Sequence, residues 1–356
     1  MSQHSQIIKA FIDRNALVLA MVIGALGYPW FRHLAWLLPP LIFMMLFFTF
    51  CKVNPLDLRL HAWHWIVLGM QMALTAGVYY GLLYLMTTLA RTHDISQEEI
   101  AIIAQGIMMC IIMPTATAAP IIAGKLGGSI QNLTTFTLLS NIATAIVVPA
   151  FFPVVNPTAG IHFLEAGWII LRKVTPLLLG PFFAAWILRL IYNEEQRRKG
   201  TDKTFTLSKT WASMPFYLWA STLIILMADL TYTLVTQHYN WWTVFVLCMG
   251  ALVAFFVQFY LGRYIGKRFP APNKGEDYHD VLVNPDAAHY PMSKVSSITA
   301  GQAFGQKNTT LGVWMAQTYL NPMSAIGPAA YIIWQNLINS LQLVIAAKQY
   351  KAKHHE

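Results

Sequence analysis

The chain has 356 residues, of which 56% are hydrophobic and only 11% are charged, whereas about a quarter of the residues of a soluble domain are charged. This composition excludes an ordinary soluble domain and indicates a polytopic membrane protein. The formal charge of +9 does not indicate a nucleic-acid partner, because the excess Lys and Arg lie in short loops between apolar segments and at the C-terminus, as positive-inside topology requires.

Ten apolar segments are predicted to cross the lipid bilayer, because a spanning helix needs about 20 apolar residues. In chain order they are Ala16–Phe31, Leu34–Cys51, Ile66–Leu89, Ser96–Met113, Ile130–Val155, Val174–Ile191, Ala212–Val235, the segment from Trp242 to Leu261, Thr299–Tyr319 and the segment from Pro322 to Ala347. A separate interfacial helix is predicted at His162–Leu171, before the sixth crossing. We expect an all-α, multi-pass protein of a bacterial inner (plasma) membrane.

Charged residues set the predicted orientation. Lys and Arg concentrate before the first crossing and after the second, sixth, eighth and tenth, which predicts that both termini are cytoplasmic. The range 1–192 holds the first six crossings, and 193–209, NEEQRRKGTDKTFTLSK, is a cytoplasmic connector. The range 210–356 holds the other four crossings, with a cytoplasmic loop at 262–294 and a C-terminal tail.

Two of the apolar segments are interrupted. In Met113–Gly128, MPTATAAPIIAGKLGG, Pro114 removes a backbone donor and should unwind the helix. In Thr299–Ala316, TAGQAFGQKNTTLGVWMA, Lys307 lies among Gln, Asn and Thr. An uncompensated Lys at bilayer depth costs about 3 to 15 kcal/mol, so this run is predicted to face protein or water. Interrupted crossings in corresponding halves indicate the midplane substrate site of a secondary transporter.

Polar residues of the fifth crossing accompany these interruptions. They recur along Ile130–Val155 close to one helical face, at Asn132, Thr137, Asn141 and Thr144. This stripe either lines a cavity or, for each hydroxyl singly, bonds back to its own helix. The candidate substrate-binding residues are therefore Thr115, Ala116, Thr117, Pro120, Asn132, Asn141, Asn308, Thr309 and Thr310.

Two polar features of the third crossing leave alternatives open. Gln71 is its lone amide, which either bonds a neighbouring helix or contacts a ligand. His61 and His64 have a helical spacing that suits a metal ion, but the flanking Trp63 and Trp65 favour an interfacial aromatic belt.

Six motifs occur in a fixed order along the chain. They are FMMLFFTFCKVNPLDL at Phe43–Leu58, Gln71 in GMQMA, the segment Ile103–Pro120, RKVTPLLLG at Arg172–Gly180, AFGQKNTTL at Ala303–Leu311, and WQNLINSL within Gly327–Leu341. In this order they resemble the motifs of the bile acid:sodium symporter family of ten-helix transporters, and the similarity covers most of the chain.

The resemblance implies two inverted five-helix repeats, so that 1–192 contains the first repeat and the start of the second. It also implies panel and core domains, with discontinuous fourth and ninth helices that cross near the midplane. The substrate implied is an organic anion, and two sodium ions are implied behind the crossing. The corresponding ion-site residues, or their replacements, are Gln71, Thr137, Gln302, Gln306 and Lys307.

This chain departs from the family pattern at the implied sodium ligands. Ala303 stands for a Glu, Lys307 for a Gln, and Ala119 and Pro120 for a Ser-Asn pair, so sodium dependence is in doubt. The Lys307 ammonium either replaces the removable ion by a fixed charge, clamps the carbonyl ends of the broken helix, couples transport to protons, or attracts a substrate carboxylate. A residual sodium site at Gln302 and Gln306 stays open.

We therefore expect a secondary transporter for an organic anion, working by alternating access as a monomer or loose dimer in the lipid bilayer, without a cofactor and with sodium left open because its usual ligands are partly missing. The alternative is a transport-inactive membrane sensor or binding protein of the same fold. No catalytic residue is assigned, because the apolar segments contain no HExxH, no Gly-x-Ser-x-Gly and no paired carboxylates.

Overall fold

The computed structural model describes residues 18–90, 95–157, 160–201, 205–236, 240–271 and 282–354. Regular structure within these ranges is helical, apart from one isolated β-bridge. The α-helices in chain order are α1 (18–26), α2 (Tyr28–Phe31), α3 (Leu38–Phe50), α4 (Ala62–Leu89), α5 (Gln97–Ile112), α6 (Ala119–Lys125), α7 (Ile130–Val155), α8 (Phe163–Arg198), α9 (Lys209–Thr236), α10 (Trp241–Arg268), α11 (Met292–Gly305), α12 (Thr309–Tyr319) and α13 (Ile326–His354).

Several of these helices are long and apolar enough to cross a membrane. Seven candidate spans meet this requirement in the described ranges: Tyr28–Phe50, Ala62–Leu89, Ile130–Val155, Phe163–Arg198, Ser213–Thr236, Trp241–Arg268 and Pro322–Ala352. The chain is therefore an all-helical, multi-pass membrane protein. The predicted fourth crossing is absent from this set because α5 has only 16 residues, and the ninth because it is divided between α11, of 14 residues, and α12, of 11 residues.

Two local predictions differ from the structure. The second predicted crossing, Leu34–Cys51, does not begin as an α-helix, because a 3-10 helix at Arg32–Leu37 leads into α3. The separate interfacial helix expected at His162–Leu171 is wrong, because one helix of 36 residues runs from Phe163 to Arg198 through two internal prolines. Membrane helices tolerate proline where neighbouring groups or local adjustments satisfy the freed backbone.

The described chain divides into two compact units. Unit 1 takes its residues from Met1–Lys52 and Pro176–Tyr239, and therefore contains α1–α3, the later part of α8, and α9. Inside it, Phe48 stacks on Trp211 with ring centroids 5.5 Å apart, and the Arg189 guanidinium donates to the Cys51 carbonyl at 3.1 Å. These contacts attach α9 and the end of α8 to α3.

Unit 2 takes its residues from Val53–Thr175 and Asn240–Glu356, and it contains both interrupted crossings. Glycines allow α11 to lie directly against α10. A Cβ added at Gly262 would lie 2.4 Å from the Ala300 carbonyl oxygen, and one added at Gly266 would lie 2.1 Å from the Ser296 carbonyl oxygen. Small residues at such contacts let membrane helices approach backbone to backbone, which fixes the position of α11.

Candidate functional site: two interrupted helices that meet

The first interruption lies between α5 and α6. Helix α5 begins at a capping box, in which the Ser96 hydroxyl accepts from the Glu99 backbone N–H at 3.1 Å. It ends at Ile112, immediately before Met113 and Pro114, and the helical conformation resumes at Ala119. The predicted unwinding at Pro114 is therefore confirmed.

Gln71 satisfies the carbonyl end that this interruption exposes. Its Nε2 donates to the carbonyl oxygens of Ile111, Ile112 and Met113 at 3.0, 3.3 and 2.9 Å. The Thr144 hydroxyl also donates to the Ile112 carbonyl, at 3.3 Å. The last carbonyls of a helix lack intrahelical donors, so Gln71 acts here as a side-chain cap supplied by α4. This contact corresponds to the interhelical alternative for Gln71.

The second interruption lies between α11, which ends at Gly305, and α12, which begins at Thr309. The Asn308 side chain caps α12 by accepting from the Leu311 N–H at 3.3 Å. The Tyr331 hydroxyl donates to the Gly305 carbonyl at 2.8 Å and so satisfies the end of α11. Thr310, the second residue of α12, is buried.

The two interruptions pair with each other through their backbones. Thr115 and Lys307 form an antiparallel β-bridge. Beside it, the Ala116 N–H donates to the Gln306 carbonyl at 2.9 Å, and the Asn308 N–H donates to the Pro114 carbonyl at 2.8 Å. The prediction that the two broken segments lie side by side is therefore confirmed, and we call this meeting point the crossing.

Side chains of α7 and α13, together with a backbone carbonyl of α11, hold the crossing in place. The Thr115 hydroxyl donates to the Ala303 carbonyl at 2.7 Å, and the Thr115 N–H donates to the Ser140 hydroxyl of α7 at 3.0 Å. On α13, Gln335 accepts from the Lys307 N–H at 3.0 Å and donates to the Lys307 carbonyl at 3.3 Å. Its Nε2 also donates to the Thr309 hydroxyl at 3.4 Å. The Lys307 backbone is thus bonded on both sides.

The Lys307 side chain is the most unusual feature of the crossing. The residue has 0% exposure, and Nζ has no hydrogen-bond partner within the described ranges. Nζ lies 5.1 Å from the centroid of the Phe304 ring. Among the described residues no carbonyl accepts a hydrogen bond from Nζ, so their contacts do not support the interpretation of Lys307 as a clamp on helix carbonyls.

Other buried polar atoms near the interrupted helices are also unpaired. Within the described residues, four buried amide oxygens accept no hydrogen bond, namely Gln71 Oε1, Asn141 Oδ1, Gln258 Oε1 and Gln317 Oε1. Asn308 Nδ2 is an amide donor that has no acceptor. Buried polar groups in folded proteins are nearly always paired, and unpaired ones call for a ligand, a water or another functional explanation.

The polar stripe of α7 does not reach the crossing as a whole. Asn132 lies near the start of α4, where His61 Nε2 bonds its side-chain oxygen at 3.1 Å and His64 Nε2 bonds its carbonyl at 3.0 Å. It is eight residues from Ser140, about 12 Å along the helix. The two histidines therefore bind α7. No group of three or more His, Cys, Asp or Glu side chains in the described ranges could hold a metal ion.

The remaining candidate residues have distinct positions. Thr137 donates to the Leu133 carbonyl of its own helix at 3.0 Å, and Asn141 donates to the Thr137 carbonyl at 2.7 Å. Ala116 and Thr117 are partly exposed on the surface of unit 2, whereas Pro120 is buried in α6. Gln302 and Gln306 bond each other at 2.8 Å. The structure thus brings Thr115, Ala116, Gln306, Lys307, Asn308 and Thr309 to the crossing.

The sequence interpretation missed two of the residues that hold this site, Ser140 and Gln335. Ser140 belongs to the same polar crossing as Asn141, and Gln335 stands in WQNLINS, a run of four amides and hydroxyls in an apolar segment. That unusual polarity was the available signal. A comparison with models of known protein families gives no match, and a comparison with curated proteins gives none either.

Proposed function

We propose that the protein is a secondary transporter that moves an organic anion across the membrane by alternating access. The observation that carries the proposal is the backbone pairing of two interrupted helices at Thr115 and Lys307. Interrupted helices of this kind form the midplane substrate sites of secondary transporters, because their ends present backbone groups that a continuous helix would occupy.

The charge around the crossing favours an anionic cargo. The N-terminus of α12 begins at Asn308, and a helix N-terminus carries a partial positive charge. Asn308 Nδ2 adds a buried donor without an acceptor within the described residues. Lys307 adds an ammonium with no hydrogen-bond partner among the described residues. The partly exposed Ala116 and Thr117 provide the surface that a carboxylate would reach first.

The same ammonium supports transport without sodium. A cation bound by the neighbouring amide oxygens, such as Gln71 Oε1, would be repelled by Lys307, and such repulsion is strong where water is scarce. We therefore propose that Lys307 supplies as a fixed charge what a removable sodium ion would supply elsewhere. A sodium-dependent carrier would need this charge to be neutralised or moved.

The finer arrangement belongs to the same proposal. We assign ten crossings in two inverted five-helix repeats, in which α5–α6 and α11–α12 correspond, and both termini on the cytoplasmic side of a bacterial inner membrane. This arrangement is that of the bile acid:sodium symporter family, which the ordered motifs of the chain resemble. The division into two units, with both interruptions in unit 2, supports a core domain distinct from a panel.

Uptake by proteoliposomes tests the proposal. Purified protein is reconstituted and supplied with radiolabelled glycocholate, succinate or gluconate, in sodium and in potassium buffer. We expect at least one of these carboxylates to enter faster than into protein-free liposomes, at equal rates in both salts. Uptake of none of them would contradict the proposal, and binding without uptake would favour a transport-inactive binding protein.

A variant of the interruption provides the matched test. Pro114→Ala restores a backbone donor and relieves the clash with the preceding turn, so α5 gains the means to continue towards Ala116. We expect uptake to fall more than binding. Wild-type uptake by this variant would show that the unwound segment between α5 and α6 has no part in transport.

A further inference from the structure

Four side-chain amides join α11 to α13 in one chain of hydrogen bonds. Gln302 Nε2 donates to Gln342 Oε1 at 2.9 Å, and Gln306 Nε2 donates to Gln302 Oε1 at 2.8 Å. Gln306 Nε2 also donates to Asn339 Oδ1. We call Gln302, Gln306, Asn339 and Gln342 the amide ladder. The first three are 1%, 2% and 4% exposed, so the ladder lies in the interior of unit 2.

The amide ladder leads away from the crossing in one direction. On α11 it begins at Gln306, which precedes Lys307 in the chain, and on α13 it begins at Asn339. Asn339 lies one helical turn beyond Gln335, whose side chain bonds the Lys307 backbone N–H and carbonyl. The pairs Gln306–Asn339 and Gln302–Gln342 show that α11 and α13 are antiparallel here. Along α13 the ladder runs from Asn339 to Gln342, which lies about 10 Å beyond Gln335, towards the end that the distribution of Lys and Arg predicts to be cytoplasmic.

Both ends of the amide ladder present donors that have nothing to bind. Because Gln306 donates in both directions, the amino groups of Asn339 and Gln342 are left over, and both are buried without a partner among the described residues. Polar contacts that only hold two helices together do not explain buried donors that have no acceptor. A group that satisfies them must bring acceptor oxygens and no competing donors, as a carboxylate does.

The side-chain stem of Arg263, on α10, lies against α11 beside the outer end of the amide ladder. A Cβ added at Gly301, the residue before Gln302, would lie 2.5 Å from Arg263 Cγ. The Arg263 guanidinium lies over the Phe259 ring, 5.1 Å from its centroid. The ion pairs found in the described ranges all involve Glu194 or Glu195, and none includes Arg263. Among the described residues no carboxylate pairs with Arg263, so its positive charge attracts anions towards this part of α10 and α11.

We propose that the amide ladder is a second binding station for the carboxylate of the cargo, on its route between the crossing and the predicted cytoplasmic end. This inference rests on the proposed function and adds a route to it. Neutral amide donors suit such a station, because an ion must bind well enough to enter each site of a pathway and weakly enough to leave it again. Asn339 and Gln342 provide the donors, and Arg263 provides the long-range attraction.

The number of carboxylates bound at saturation tests this inference. Radiolabelled glycocholate and succinate are dialysed to equilibrium against purified protein in nanodiscs, with empty nanodiscs as the blank. We expect at least one probe to bind wild type at two molecules per chain. Asn339→Asp, which puts a carboxylate in place of the surplus donor, and the similarly sized Asn339→Leu should each reduce the number to one.

Asn336→Asp is the matched control. Asn336 lies on the same helix, is partly buried, and donates only to the Ile332 carbonyl of its own helix, at 2.7 Å. Asn336→Asp should leave two molecules bound.

The inference is overturned if wild type binds one molecule or none, or if the Asn339 variants lower the melting temperature but bind as many molecules as wild type. Proteoliposome uptake measured in parallel separates the two proposals. Uptake by a protein that binds a single carboxylate would contradict the second binding station and leave the proposed transport function standing.

Discussion

Lys307 combines three properties that rarely occur together in one residue. Its backbone is fixed by the bridge to Thr115 and by Gln335 on both sides. Its side chain has 0% exposure, and its Nζ has no hydrogen-bond partner in the described ranges. The effective penalty for burying an ion is several kcal/mol even after the protein relaxes. A group kept under these conditions points to function at the expense of stability.

Lys307→Met should therefore stabilise the fold and impair transport. Methionine keeps the unbranched stem in its apolar surroundings and removes the unpaired charge, so we expect the free energy of unfolding to rise by about 1 to 3 kcal/mol. Thermal unfolding of the purified variant measures the change. Lys294→Met is the control, because Lys294 lies near the surface over the Tyr290 ring, 3.3 Å from its centroid, and should not gain stability. A destabilised Lys307→Met would mean that the ammonium has a stabilising partner.

At the level of helices, the placement of α11 depends on how closely α10 lets it approach. At most of the helical glycines of unit 2, a neighbouring residue occupies the space that a Cβ would need. The closest approach to a backbone atom is at Gly266, where an added Cβ would lie 2.1 Å from the Ser296 carbonyl oxygen. On α4, in contrast, a Cβ added at Gly77 would meet nothing within 4 Å. The same chemical change therefore has opposite consequences at the two positions.

Gly266→Ala should push α11 away from α10 and disturb the crossing that α11 leads into. Overpacking of this kind costs about 1 to 3 kcal/mol, and we expect a lower melting temperature together with slower uptake. Gly77→Ala should be neutral or slightly stabilising, since alanine is the better helix former by about 1 kcal/mol. Equal melting temperatures for the two variants would contradict the close approach of α10 and α11.

The helix interruptions are the elements that the sequence predicts best. Pro114 lacks the backbone N–H that a continuing helix would use and is followed by the small and polar run Thr115–Ala119, and a Gly-Gln-Lys-Asn run is too polar to continue through hydrocarbon. Both are local properties, and α5 ends and α12 begins where they predict. The continuation of α8 through Pro176 and Pro181 was not predictable in this way, because proline inside a membrane helix is decided by the neighbours that satisfy its backbone.

For the molecule as a whole, the partners of the crossing were beyond prediction. Ser140 and Gln335 are ordinary polar residues of apolar helices until α7 and α13 bring them against Thr115 and Lys307. Asn132 was grouped with Asn141 by helical face alone, yet the structure ties it to the start of α4. Periodicity identifies the face of a helix, but the tertiary contacts along its length decide which part of that face belongs to a site.

Disulfide formation across the crossing tests most directly whether two interrupted helices meet inside unit 2. In a background in which Cys51, Cys110 and Cys248 are replaced by Ala, Thr115→Cys and Lys307→Cys are introduced together, and Asn132→Cys with Lys307→Cys is the control pair. Paired residues of an antiparallel bridge have Cα atoms about 4.5 to 5.5 Å apart, within the range that a disulfide spans. We expect the first pair to cross-link within single chains under mild oxidation and the control pair to stay reduced. Free thiols at both 115 and 307, in folded protein, would contradict the account.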